Sequence, residues 1–343
     1  MRLSVLDQSP IPEGATGAQA LANTVDLARH AESLGYERYW LAEHHATPSL
    51  ACASPEVLIG AAAAATETIR VGSGGVMLPH YSPLKVAEVF STLAGLYPQR
   101  IELGLGRAPG TDPMTMLALQ RDRRHAAPDD FIDQLTELLA LIEGRLPRDH
   151  PFARLAETLP GLPERPEAWL LGSSPQSAIW AGELGLPYSI ADFINPRGAS
   201  LAADYRGRFL DSERLPAPRV LPCVIAICAE TDEEAERIAS SGRMMFSLLR
   251  QGRLIPIPPP EKALAYLETR MRPDDPARRR RGIVGSPGKV RDGLDAVAAE
   301  YGTGELMVLT IAYEHEARRR SYELIAEAFG LTRRPSSPDA AAA

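Results

Sequence analysis

Short apolar runs alternate with longer amphipathic stretches along most of the chain. RLSVLD at 2–7 predicts a strand. The stretch 18–35 predicts a helix, because Leu21, Val25, Ala28 and Leu34 fall near one face and Gly35 supplies a stop signal. Further strands are predicted at 37–42, 69–75, 100–106, 168–174, 187–193, 219–229 and 305–313. Helices are predicted at 54–68, 82–96, 129–144, 175–185, 198–211, 232–250, 285–302 and 315–330. Ser-Pro pairs open the helices at 54 and 82, with serine as N-cap and proline at the first helical position. Eight βα alternations are the pattern of a (β/α)8 TIM barrel with insertions. A doubly wound sheet is the alternative, but it usually carries a phosphate loop after its first strand, and LDQSPIPEGATG contains no GxGxxG. Two stretches interrupt the repeat, 107–128 and 251–284. The second is long, Pro-rich and highly charged and is expected to be a functional lid or a disordered loop. One domain is expected over 1–332, with a disordered tail at 333–343.

Composition narrows the function classes. A net charge of −7 leaves no global basic footprint for nucleic acid. No run reaches the roughly 18 apolar residues of a membrane span, and the N-terminus lacks the apolar core of a signal peptide. Cys52, Cys223 and Cys228 form neither a CxxC pair nor an even disulfide framework, which points to a reducing compartment. The arginine run 278–281 reads as a solvated loop.

A barrel places its chemistry at the C-terminal ends of its strands. Those ends here read Asp7-Gln8-Ser9, Glu43-His44-His45, Gly74-Gly75 with Met77 beyond, Gly106-Arg107, Gly172-Ser173-Ser174, and Asp192 with Asn195. Ser173 or Ser174 can cap the helix that follows, and the free N–H groups of a helix start bind anions. Arg107 can pair with the same anion; an ordinary capped helix explains the serines equally well. Three glycines in VGSGG suggest a bulge, an unusual peptide, a flat ligand against backbone, or a tight barrel bend. Adjacent side chains on extended backbone diverge, so His44 and His45 are a poor pair for one metal. One imidazole facing the cleft as acid, base or hydrogen-bond donor fits better.

Taken together, WLAEHH, VGSGGVMLP, RIELGLGRAPG and WLLGSSPQSAIWAGELGLP resemble the bacterial-luciferase-like flavin monooxygenases, from the first strand to the last helix. The resemblance is closest to single-type members from actinomycete natural-product pathways. It implies a TIM barrel that binds FMN at its C-terminal face. The isoalloxazine would lie at a non-proline cis peptide, the place held by Gly74-Gly75, with Met77 lining the ring pocket. Arg107, Ser173, Ser174 and Ser177 would hold the phosphate, and His44 matches the family's catalytic histidine. The implied chemistry takes reduced FMN from a separate NAD(P)H-dependent reductase, forms a flavin C4a-(hydro)peroxide with dioxygen, and oxygenates a small organic substrate, such as an aromatic or polyketide metabolite. A cytoplasmic homodimer is also implied.

The chain departs from the family pattern in three places. Gly106 stands where the light-emitting subunit has a reactive cysteine, Ala191-Asp192-Phe193 where many relatives carry a histidine, and the 145–167 connection is short and Pro-rich. These differences leave the substrate open. A deazaflavin-dependent hydride-transfer enzyme on the same barrel and a non-catalytic flavin-binding protein are the alternatives.

Overall fold

The computed structural model describes residues 1–108, 111–120, 122–125, 129–195, 197–212, 214–270 and 282–332. Its strands are β1 (Arg2–Asp7), β2 (Arg38–Leu41), β3 (Arg70–Ser73), β4 (Val76–Met77), β5 (Ile101–Gly106), β6 (Glu167–Gly172), β7 (Tyr188–Ala191), β8 (Val220–Cys228), β9 (Gly282–Gly285) and β10 (Glu305–Leu309). Their ladders run parallel in the order β10-β1-β2-β3-β5-β6-β7-β8, and β10 also pairs β8. That pairing closes the sheet into the predicted (β/α)8 barrel. The strands are buried almost without alternation, as parallel strands covered on both faces must be.

The helices are α1 (Gly17–Leu34), α2 (Pro55–Ala64), α3 (Pro83–Leu96), α4 (Pro113–Leu119), α5 (Phe131–Glu143), α6 (Ala153–Ala156), α7 (Pro175–Glu183), α8 (Gly198–Arg208), α9 (Asp232–Leu249), α10 (Pro260–Arg270), α11 (Pro287–Tyr301) and α12 (His315–Phe329). Local signals explain their ends. Thr16 and Gln19 form a capping box at α1, and Gly35 closes it with a positive φ of 88°. Proline opens α2, α3 and α7, as the Ser-Pro pairs predict.

The structure corrects the reading of 251–284 as one long loop. It contains α10 and β9, and β9 pairs the far half of β8, Ile225–Cys228. Proline punctuation and dense charge masked a helix that itself begins with proline. Residues 271–281, the arginine run included, lie outside the described residues, as does the tail 333–343. The irregular stretch 107–128 holds α4; the predicted strand 69–75 is observed as β3, and a separate short β4 follows just beyond it.

Charges close the two ends of the barrel. At its base Arg38, Glu102 and Glu305 are buried, and Arg38 pairs with both carboxylates. Arg70 reaches Glu102 at 2.8 Å, Arg219 reaches Glu167 at 2.9 Å, and Arg2 reaches Glu305 at 3.0 Å. Trp40 donates its indole N–H to Glu102 at 2.6 Å and packs edge-on against Trp169. At the opposite end, Arg318 of α12 pairs with Asp7 of β1 at 2.6 Å, and both are buried. Burial alone would raise the Asp7 pKa, but the Arg318 charge and hydrogen bonds from Arg318, Tyr39 and the Ser9 amide hold it below the usual range. These residues lie far apart in sequence, so local patterning gives no sign of their pairing.

Candidate functional site

Glu43, His44 and His45 follow β2 and have separate tasks. Glu43 is wholly buried, and its carboxylate is fully used. His45 Nε2 lies 2.7 Å from Oε1, the Tyr81 hydroxyl donates to Oε1 at 3.0 Å, and the Met77 amide donates to Oε2 at 2.8 Å. A buried carboxylate needs such partners. Glu43 therefore ties the end of β2 to the chain that follows β3. His45 also packs edge-on against His80, their ring centroids 5.7 Å apart.

The chain between β3 and β4 carries the non-proline cis peptide that the resemblance implied, at Gly74–Gly75. Here the backbone approaches its neighbour closely, since a Cβ at Gly75 would stand 2.8 Å from the Gly104 carbonyl oxygen. Ser73 donates its hydroxyl to the same oxygen at 2.8 Å. The Met77 thioether packs over Gly106, the position where the resembled subunit carries cysteine.

His44 turns away from Glu43. Its Nδ1 lies 3.7 Å from Cys52 Sγ, which leaves Nε2 as the ring nitrogen for an incoming group. Burial, aided by the neighbouring His45 charge, lowers its pKa to about 4. Burial also pushes the Cys52 thiol up, so it stays protonated. His44 is neutral at pH 7, and an NMR titration of its imidazole should show no protonation until about pH 4. The unfolded chain takes up this proton first, near pH 6.5. Stability from this group therefore falls as pH drops from about 6.5 toward 4. A His44 midpoint near 6.5 in the folded protein would contradict the buried setting.

Across the barrel mouth, Ser174 caps α7 and forms a capping box with Ser177. Ser177 is buried, and its hydroxyl is engaged by Tyr188 Oη and the Ser174 carbonyl, both at 2.8 Å. It shapes the helix start from behind. Gly172 makes room for it, because a Cβ there would sit 2.1 Å from Ser177 Oγ. Ser173 offers a part-exposed hydroxyl, and its carbonyl accepts from Asn195 Nδ2 at 2.9 Å. Arg107 is exposed and lies over the Trp180 ring of α7, 5.6 Å from the centroid. Among the described residues it has no ion pair. A guanidinium without an ion pair, packed on the same helix that Ser174 caps, fits a phosphate.

Two cavities open near these groups. One of about 470 Å³ is lined by Gln8, His44 and His45 on one side, and by Met245, Phe246 and Leu249 of α9 on the other. A second of about 50 Å³ sits in the barrel beside Gly74, Gly172 and Trp40. The sequence pointed to the strand ends but missed Cys52, Tyr81, Trp180 and the α9 wall. Nothing in the local sequence marks Tyr81 or Trp180.

Residues 1–304 match the family model described as luciferase-like monooxygenase. A protein named luciferase-like monooxygenase from Escherichia coli K12 is 42% identical over 94% of this chain and 95% of its own length. The Bacillus subtilis N-acetyl-S-alkylcysteine monooxygenase is 38% identical over 96% of this chain and 98% of its own. The crystal structure of apo-MsnO8 is 43% identical and superimposes with a TM-score of 0.88 over 97% of this chain and 99% of its own. With a closed barrel whose polar strand ends surround an apolar cavity, and with these relatives matched nearly end to end, the chain belongs to the luciferase-like monooxygenase family.

Proposed function

We propose that this protein uses reduced FMN and dioxygen to oxygenate a small organic molecule, with His44 as the catalytic residue. The observation that carries the reading is the joint placement of two features. The Gly74–Gly75 peptide is cis at the end of β3, and Arg107, without an ion pair among the described residues, follows β5 and lies over Trp180 of the Ser174-capped helix α7, so a ring and a phosphate each have a candidate surface. Gly74, Gly75 and Met77 would face the ring. Arg107, Ser173 and the Ser174-capped helix start would hold the phosphate, with Ser177 setting the shape of that start. When bound, reduced flavin supplies the two electrons that divide dioxygen between product and water. The apolar cavity excludes bulk water from that reaction. Neutral His44, with Nδ1 against Cys52, turns Nε2 to the cavity, where it can offer a hydrogen bond to an oxygen or take up a proton as a general base.

The same reading has a separate NAD(P)H-dependent reductase supply the reduced flavin, a cytoplasmic location and a homodimer. Among the described residues no helix is long and apolar enough to cross a membrane. The three cysteines are buried and free, which suits a reducing compartment. The B. subtilis relative named for N-acetyl-S-alkylcysteine makes such thioethers the first substrates to try. Tailoring of an aromatic or polyketide metabolite is the second class.

The test is flavin titration followed by turnover in isotopically labelled dioxygen. FMN should bind, and label should appear in the product. Tight deazaflavin binding without FMN affinity would overturn the reading in favour of hydride transfer. Arg107→Ala should weaken FMN about tenfold or more, since a charge-assisted phosphate contact is lost. Riboflavin, which lacks the phosphate, should bind the variant as it binds the parent. An equal loss for both flavins would remove Arg107 from the phosphate site.

A further inference from the structure

The larger cavity contains a polar group that the oxygenation chemistry leaves unused. Gln8 follows β1 and is only 6% exposed, and it lines the cavity with His44. Its side-chain amide makes no hydrogen bond to protein among the described residues and is open to whatever occupies the cavity. A primary amide can donate and accept at once, so it suits a neutral partner such as an amide or carbonyl.

The charges facing the same cavity are unequal. Asp112 and Arg253 both line it. The Asp112 carboxylate is occupied as the cap of α4, accepting from the Met114 and Thr115 amides at 2.9 and 3.1 Å and from the Thr115 hydroxyl at 2.6 Å. Arg253 is exposed, and its guanidinium has no ion pair among the described residues. His44 is neutral. Arg253 is therefore the charged side chain of this lining without a partner among the described residues, while the Asp112 carboxylate keeps its charge but is held at the α4 cap. Between the polar points the walls are apolar, formed by Leu50, Met245 and Phe246.

From this arrangement we infer that the substrate is a small amphipathic acid: an apolar body, one anionic group held by Arg253, and one uncharged hydrogen-bonding group held by Gln8. The inference rests on the cavity being the substrate site of the proposed oxygenase. Arg253 and Gln8 select and position the substrate, and the reaction itself asks nothing further of them.

Calorimetric titration of the full chain tests it with N-hexanoylglycine, its methyl ester, octanoate and octan-1-amine, each with and without saturating FMN. N-hexanoylglycine should bind about tenfold tighter than its uncharged ester, because a charge-assisted contact is lost in the ester. Arg253→Gln should abolish that preference, and Arg253→Lys should keep part of it. Gln8→Leu should weaken N-hexanoylglycine but not octanoate, which lacks the amide. Equal binding of acid and ester, preference for the amine, no uptake of either acid, or a preference that survives Arg253→Gln would overturn the proposal. So would a Gln8→Leu variant that binds N-hexanoylglycine as the parent does. FMN affinity, measured on the same variants, should stay at the parental value. If the parent binds no FMN, the flavin reading fails, while the acid titrations still decide this one.

Discussion

Replacing His44 by alanine should cut oxygenation by about 10²–10⁴-fold, the usual cost of a lost general acid or base, while FMN affinity stays near the parental value. The imidazole faces the cavity, is neutral at physiological pH, and is positioned by Cys52 rather than by the Glu43 carboxylate beside it. Steady-state turnover with N-acetyl-S-alkylcysteines as first substrates, together with stopped-flow oxidation of reduced FMN in air-saturated buffer, gives the comparison. His44→Gln separates two roles, because glutamine keeps an N–H donor but cannot exchange a proton near neutral pH. Partial activity in that variant would mean that donation of a hydrogen bond is most of the contribution. Parental turnover in His44→Ala would eliminate the catalytic role without touching the family membership.

The second large effect concerns stability. Arg318→Met should destabilise the fold by about 3–5 kcal/mol, because it leaves the Asp7 carboxylate buried without its cation. Urea unfolding monitored by circular dichroism measures the loss. The double variant Asp7→Asn with Arg318→Met should be less destabilised than Arg318→Met alone, since removing both partners strands no charge. The pH dependence has a definite sign. The folded Asp7 pKa is depressed, so the contribution of the pair is fully present above the unfolded value of about 3.9. It is lost as pH falls through the folded value. Equal stability of the single and double variants would show that the pair is solvated in the folded state.

Local features of the sequence carried the architecture. Strand and helix alternated with little ambiguity, Ser-Pro and glycine marked helix ends, and one closed barrel followed. His44, Gly74, Gly75 and Arg107 stood out as candidates because each follows a strand, at the end of a barrel where polar residues and glycines suggest a site. Interactions between distant segments were harder to read. The Arg38–Glu102–Glu305 cluster joins three strand starts, and nothing in any one strand shows that its charge turns inward. The Cys52 contact depends on how the loop after β2 folds back, with the His44 amide bonded to the Cys52 carbonyl. The α10 helix was hidden by its own proline-rich approach, and the bonds of the Ser177 hydroxyl to the Ser174 carbonyl and Tyr188 were not visible in GSSPQS. Residue type and spacing announce a group's chemistry, whereas its partner is fixed only when the barrel closes.

That closure has a consequence for how the protein is made. β1 finds its second neighbour in β10, and Asp7 meets Arg318 across 311 residues. At about 5–20 residues per second, roughly 15–60 seconds of ribosome time separate the two partners. Throughout that interval the nascent chain carries an open edge lined by Leu3, Val5 and Leu6, which in the finished barrel faces Leu306, Val308 and Leu309.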